Sequence, residues 1–143
     1  VMGLIQAPYL ALYSSTKHAL EGYSESLDHE LRAFGIRVVL VEPAYTRTLF
    51  EDNLTTPDRL LDVYDLARAG AKGVMREAMQ QVGDVPEVVA ETVLKAATAA
   101  VPRRRYAAGK KARQTSFLRR FVAEAAFDKS LRKQMRLPER RAE

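Results

Sequence analysis

Tyr13 and Lys17 are two side chains whose types and spacing could do chemistry. They stand four residues apart in Tyr13-Ser-Ser-Thr-Lys17, so on a helix the phenol and the ammonium share a face about one turn apart. A free tyrosine ionises near pH ~10, and a neighbouring cation favours the phenolate. Lowering this pKa to about 7 takes roughly 4 kcal/mol of differential stabilisation. The pair then predicts an acid/base group acting on an alcohol or carbonyl oxygen. A half-buried core tyrosine followed by a solvated lysine is the alternative.

Strand and helix signals alternate along the chain, which predicts a parallel sheet with helices on its faces. The first helix should end at Gly35, a typical C-cap residue. The apolar run that follows is bounded by Gly35 and Pro43 and suits a strand buried on both faces. The predicted helices are 13–34, 58–81, 86–101 and 109–136, and the predicted strands are 36–41 and 103–107.

Residues 1–50 resemble the active-site segment of the short-chain dehydrogenase/reductase family, most closely its hydroxysteroid and retinol dehydrogenase branch. The resemblance lies in Tyr13-Ser-Ser-Thr-Lys17, in the strand-like Ile36–Val41 and in Glu42-Pro43-Ala-Tyr-Thr-Arg-Thr48. It continues more loosely to Tyr106-Ala-Ala-Gly109. It implies the α/β fold class, as the C-terminal half of a Rossmann-like doubly wound parallel sheet.

The same resemblance implies that a dinucleotide-binding half precedes this chain. The family's Thr-Gly-x-x-x-Gly-x-Gly turn and Asn-Asn-Ala-Gly segment have no counterpart here, and its catalytic serine would stand directly before Val1. The expected organisation is therefore the C-terminal half of an NAD(P)-binding domain over residues 1–109, with a substrate lid at about 49–81, and a basic C-terminal helix over 110–143. Alone, the chain is expected to bind dinucleotide weakly and to be inactive.

The loop after the strand carries the cofactor contacts that the resemblance implies. Pro43, Ala44, Thr46 and Thr48 would lie against the nicotinamide of NAD or NADP, and Tyr13 and Lys17 would reach its ribose. Alternatively or in addition, Pro43 could simply end the strand, and Thr46 and Thr48 could cap the next helix, with Glu51 completing a capping box with Thr48. The family's glycine is replaced by Ala44, which would cost about 1 kcal/mol if the backbone there had a positive φ.

The predicted lid supplies apolar side chains that could line a substrate pocket or simply form the buried stripes of amphipathic helices. They permit a hydrophobic alcohol or ketone without naming one. They are Leu49, Phe50, Leu54, Leu60, Leu61, Val63, Tyr64, Leu66 and Met75.

Charge is concentrated in the tail, where residues 103–143 carry fourteen basic and four acidic side chains. Residues 1–102 carry nine basic and fourteen acidic ones. A basic amphipathic helix of this kind could pack on the domain with a solvated face or lie on an anionic membrane surface. Nucleic acid is not the expected partner, because the tail shows no recognition fold.

Composition limits the remaining classes. Cysteine is absent and histidine occurs twice, so neither a disulfide framework nor a His- or thiolate-rich metal site is expected. The family resemblance implies a cytoplasmic homo-oligomeric NAD(P)-dependent oxidoreductase that moves a hydride between nicotinamide and a small alcohol or carbonyl compound. The basic helix leaves a peripheral membrane contact open. The alternative is a non-catalytic binding protein with a remnant active site and a basic helix for a membrane or partner.

Overall fold

The computed structural model describes residues 1–50, 53, 55 and 58–137, which form five α-helices, two 3-10 helices and two strands. The helices are α1 (Ala11–Leu31), α2 (Asp65–Val82), α3 (Pro86–Ala97), α4 (Gly109–Phe121) and α5 (Glu124–Gln134), the 3-10 helices are Arg32–Phe34 and Asp62–Tyr64, and the strands are β1 (Leu40–Pro43) and β2 (Arg105–Ala108).

Helix α1 with its 3-10 extension matches the predicted first helix closely. The extension ends at Gly35, which has a φ of 74° and donates its N–H to the carbonyl of Arg32. This left-handed conformation favours glycine because it has no Cβ. The predicted C-cap is therefore confirmed.

Strands β1 and β2 are parallel neighbours, in register from Leu40 opposite Arg105 to Pro43 opposite Ala108. The predicted strands are displaced, because 36–41 becomes 40–43 and 103–107 becomes 105–108. Residues 36–39 find no ladder partner in the described part of the chain. With helices between and after two parallel strands, the chain has a partial Rossmann-like α/β fold.

Of the two middle helices, α3 begins where the sequence predicted and α2 does not. Helix α3 begins at Pro86 as its first-turn proline predicted, although it ends at Ala97 rather than Val101. Helix α2 begins at Asp65 after a 3-10 turn, so the predicted start at Asp58 is wrong. The cap and proline proposed at Thr56 and Pro57 lie outside the described residues.

The tail forms two helices where the sequence predicted one. Val122 and Ala123 have extended backbone between α4 and α5. Helix α4 packs on both strands. Helix α5 reaches α2, where the following residue Met135 and the α2 residues Ala71 and Val74 form a small buried core. The proposed division at residue 109 stays a prediction, and no helix in the described ranges is long and apolar enough to cross a membrane.

A buried carboxylate joins the end of α1 to the segment that precedes β1. Asp28, fully buried, accepts hydrogen bonds from Arg32, Arg37 and the Val38 N–H. The bonds from Arg37 above all hold the pKa of Asp28 well below its usual range, against the opposing effect of burial. This network fixes the end of α1 beside the segment that leads into β1.

A second network is centred on Arg105 of β2. Its guanidinium donates to Glu25 at 2.9 Å, to Glu42 of β1 at 2.5 Å and to Glu21. Glu42 is buried, and the bond from Arg105 pairs its charge inside the protein. One side chain therefore connects α1 with both strands.

We expect Gly35→Ala to lower the free energy of unfolding by about 1–2 kcal/mol, because a side chain opposes the left-handed backbone. Gly70→Ala is the matched control. Gly70 lies inside α2, and a Cβ added there would meet nothing within 4 Å, so alanine should raise stability by about 0.5–1 kcal/mol. Urea unfolding followed by circular dichroism measures both. Equal effects at the two positions would contradict the C-cap assignment.

Candidate active site

An apolar cavity of about 550 Å³ lies beyond the carboxyl ends of both strands. Ligands of open α/β sheets bind at this edge. The first residues of the chain, the loop after β1, and helices α2, α4 and α5 all contribute to its wall. The polar or ionisable side chains around it are Tyr9, Tyr13, Tyr45, Thr46, Thr48, Lys72, Arg76, Lys111, Thr115, Ser130 and Gln134.

Tyr13 stands in the first turn of α1 and lines this cavity. Its ring is half-buried, with its centre 5.4 Å from that of Phe50. Burial raises the pKa of the Tyr13 phenol above its ordinary value. The phenol is therefore protonated at neutral pH and able to donate to a ligand oxygen.

Lys17 lies one turn further along α1, with Nζ 5.4 Å from the centre of the Tyr13 ring. It is not among the described residues that line the cavity. The sequence predicted that this cation would lower the pKa of Tyr13, and in this chain the shift has the opposite direction. The two side chains lie close together as predicted. Burial of the phenol, rather than the charge of Lys17, sets the direction of the Tyr13 pKa shift.

The loop after β1 is fixed by the backbone of Asp84. Arg47 donates its N–H to the Asp84 carbonyl at 2.9 Å, and the Asp84 N–H donates to the carbonyl of Tyr45 at 2.9 Å. Gly109, with a φ of 86°, leaves room for Asp84, since a Cβ there would collide with its carboxylate. The Gly109 noted in the sequence therefore supports the loop from the start of α4.

Pro43, Ala44, Thr46 and Thr48 all line the cavity, as the sequence grouped them. Ala44 does not have a positive φ, so the strain considered for replacing glycine is absent. The capping partner considered for Thr48, Glu51, lies outside the described residues.

Thr46 is one of two described residues with a buried, unpaired hydroxyl; the other, Ser14, does not line the cavity. The Oγ1 of Thr46 is buried and has no hydrogen-bond partner among the described residues. An unpaired buried hydroxyl is costly, and native structures rarely leave one without a reason. A carboxamide, which both donates and accepts, would satisfy it. The loop is therefore chemically compatible with the nicotinamide group that the resemblance implies.

The residues grouped in the loop after β1 line the cavity, whereas most of the apolar residues considered for the lid do not. Of the apolar residues proposed for the lid, Phe50 and Met75 line the cavity, Leu54 lies outside the described residues, and the others are not part of the described wall. The tail contributes instead. Its lining residues are Lys111, Thr115, Leu118, Val122, Ala126, Phe127, Ser130, Leu131, Gln134 and Met135.

The tail's contribution could have been anticipated only in part. Its apolar residues, spaced three and four apart, predicted a helix face that packs against the rest of the domain. The turn at Val122 that aims α5 back toward α2 has no glycine or proline to announce it.

Comparison with known proteins gives consistent matches. Residues 1–59 match the family model for short chain dehydrogenase. An uncharacterized oxidoreductase of Escherichia coli strain K12 is 36% identical over 108 residues, covering 74% of this chain and 36% of that protein. An uncharacterized oxidoreductase of Schizosaccharomyces pombe is 30% identical over 135 residues, covering 94% and 56%.

Human 17-beta-hydroxysteroid dehydrogenase type 1 is also similar, at 38% identity over 115 residues, which is 74% of this chain and 34% of that enzyme. The chain thus spans about a third to just over a half of the length of these three relatives. The match to the family model includes the helix with Tyr13 and Lys17, the following strand and the loop to Thr48. The chain belongs to the short-chain dehydrogenase/reductase family.

Proposed function

We propose that the protein is an NAD(P)-dependent oxidoreductase acting on an apolar alcohol or its carbonyl product. The observation that carries the proposal is the meeting of the Tyr13 phenol and the loop from Pro43 to Thr48 at one apolar cavity beyond the strand ends. Family membership supports the oxidoreductase class, and the family uses NAD or NADP.

The proposed reaction is the reversible oxidation of an alcohol. The C–H bond breaks and its electron pair leaves the carbon as a hydride, while the O–H proton passes to the Tyr13 phenolate oxygen. The nicotinamide supplies the hydride acceptor in this direction and the hydride donor in the reverse one. In the reverse direction, the protonated Tyr13 gives its proton to the carbonyl oxygen.

The other site residues are proposed to hold and orient the cofactor. Lys17 would bind the nicotinamide ribose hydroxyls and favour the phenolate of Tyr13 once the site is filled. The unpaired Oγ1 of Thr46 supports a bond to the carboxamide. Pro43, Ala44 and Thr48 would complete the contact with the cofactor from the same loop.

The substrate is proposed to be hydrophobic, as the hydroxysteroid branch of the resemblance suggests. Apolar side chains such as Met75, Met79, Leu118 and Phe127 form much of the cavity wall. Such walls bind apolar surface with little directional selectivity. A sterol-like or long-chain alcohol would satisfy them.

Self-association is proposed through α1. Leu12 is 81% exposed and Tyr23 is 65% exposed on this helix, with Leu20 also exposed between them. These three positions follow one stripe of the helix. An exposed apolar stripe on a helix of this length is typical of an interface.

A peripheral membrane contact is proposed for the outer face of α4. Phe117 and Phe121 are 61% and 65% exposed, and their ring centres are 4.7 Å apart. Lys110, Arg113 and Arg120 are exposed on the same helix, which contains no acidic residue. Exposed aromatic rings among cations suit the surface of an anionic bilayer.

In the longer protein that includes the dinucleotide-binding half implied by the resemblance, we expect Tyr13→Phe to reduce kcat by about 10²–10⁴-fold, the usual contribution of a positioned acid/base group. Dinucleotide affinity should change little. Tyr45→Phe is the matched control, since this tyrosine lines the same cavity but has no assigned proton role. Absorbance of the reduced nicotinamide with a hydroxysteroid and a long-chain alcohol measures turnover.

Undiminished activity in Tyr13→Phe would contradict the role of Tyr13. A wild-type protein that contains the dinucleotide-binding half and binds these alcohols without turning them over would instead favour the non-catalytic binding protein.

We expect the Tyr13 phenol to ionise above pH ~10 in the absence of dinucleotide, because its burial opposes the anion. Lys17→Met should leave this ionisation where it is. Carbon NMR of labelled tyrosine, assigned with Tyr13→Phe, measures both. An ionisation near neutrality that moves up in Lys17→Met would show that the lysine, rather than burial, controls the free site.

We expect the double change Phe117→Ser and Phe121→Ser to weaken binding to phosphatidylserine vesicles by about tenfold or more, from lost apolar burial. Phe34→Ser is the matched control, because Phe34 is 77% exposed but lies at the end of the 3-10 extension of α1. Sedimentation with vesicles at low and high salt measures binding. Equal loss in both variants, or no binding by the wild type, would contradict the proposed surface.

A further inference from the structure

Three cationic side chains reach the wall of the site cavity. Lys72 and Arg76 belong to α2, and Lys111 belongs to the first turns of α4. The hydride and proton transfers proposed for Tyr13 do not use them. They lie in a wall that is otherwise mostly apolar or neutral among the described residues.

Their positions follow from the fold. Lys72 and Arg76 are four residues apart, so they share one face of α2 about one turn apart. Lys111 follows the end of β2, which places it at the same edge of the sheet as the loop after β1. The cations therefore approach the cavity from two separate helices.

The two lysines differ from the arginines that stabilise the fold. Arg37 and Arg105 are both committed to carboxylates at the junction of α1 and the sheet. Among the residues that the structure describes, neither Lys72 nor Lys111 forms an ion pair or a side-chain hydrogen bond. Lys111 is only half-exposed, so part of its hydration is already lost.

An anion at this cavity wall would interact more strongly with Lys111, which is partly buried, than with Lys72, which is exposed. Coulomb attraction grows as the surroundings become less polar than water. A charge-assisted hydrogen bond is roughly twice as strong as a neutral one. In a cavity with apolar walls, a few charged groups of this kind fix ligand orientation.

We propose that Lys72 and Lys111 bind an anionic group of the substrate, which is an apolar alcohol or carbonyl compound carrying a carboxylate remote from its reacting oxygen. This inference rests on the proposed oxidoreductase function. The apolar walls hold the hydrocarbon part, Tyr13 meets the reacting oxygen, and the lysines select the charged end.

The test compares ω-hydroxydodecanoate with its methyl ester, which keeps the chain and the alcohol but lacks the charge. Binding is measured by isothermal titration calorimetry, and turnover is measured separately by nicotinamide absorbance. The variants are Lys72→Gln, Lys111→Gln and the double change, with Lys72→Arg to restore the charge.

Lys110→Gln is the matched control, because Lys110 is the exposed neighbour of Lys111 and is not part of the described cavity wall. The wild type should bind the acid about tenfold or more tightly than the ester, as a hydrogen bond to a charged group predicts. Each lysine change should shrink this preference, and the double change should shrink it most, with Arg76 as the cation that remains in the wall. Lys72→Arg and Lys110→Gln should keep it, and added salt should reduce it.

Two results would overturn the inference. Equal affinity of the wild type for acid and ester would remove the anion preference, whether or not turnover occurs. An equal loss of NADH or NADPH affinity in the lysine variants would assign these cations to the cofactor diphosphate instead. A protein that binds the acid more tightly than the ester but catalyses no reaction would still support the anion-binding site and would contradict only the proposed reaction.

Discussion

The arrangement of the site depends on the side chain of Arg105. It joins Glu21 and Glu25 of α1 to Glu42 of β1 from its own place on β2. Burial opposes the charge of Arg105, but the hydrogen bonds that it donates to Glu25 and Glu42 outweigh this effect and raise its pKa. Glu42 is the buried member of this network, so removing Arg105 would leave a buried carboxylate without its ion-pair partner. Tyr13 and the loop after β1 are positioned relative to each other through this junction.

Several helices and a loop form the cavity wall, because the two-stranded sheet is too small to form it alone. Small buried residues such as Ala108 and Ala112 let α4 lie close to the strands. The extended backbone at Val122 then turns the chain, so that Leu131 and Met135 pack against α2. A continuous helix through Val122 would have carried these residues away from α2. The apolar residues of the tail thus divide between a cavity wall and the exposed pair of phenylalanines.

Much of the fold could be predicted from local signals. Gly35 and Pro86 marked helix ends because each acts through its own backbone, and the parallel arrangement followed from alternating strand and helix patterns. Strand limits could not be predicted, since a ladder begins only where Leu40 meets Arg105. The grouping of Tyr13 with the loop from Pro43 to Thr48 came from the family resemblance. The lysines of the cavity wall were missed because their neighbours in space come from distant parts of the sequence.

The raised pKa of Tyr13 shows what the chain alone does not provide. Burial protects the neutral phenol, which suits proton donation to a carbonyl but opposes proton removal from an alcohol. With its Nζ 5.4 Å from the ring centre, Lys17 lies close enough to favour the phenolate if the surroundings exclude water. A ligand that also covered Lys17, which lies outside the described cavity wall, would exclude that water and strengthen the attraction. Proton transfer in the oxidative direction should therefore depend on a filled site, with Lys17 acting as a positioning and charge-stabilising residue only then.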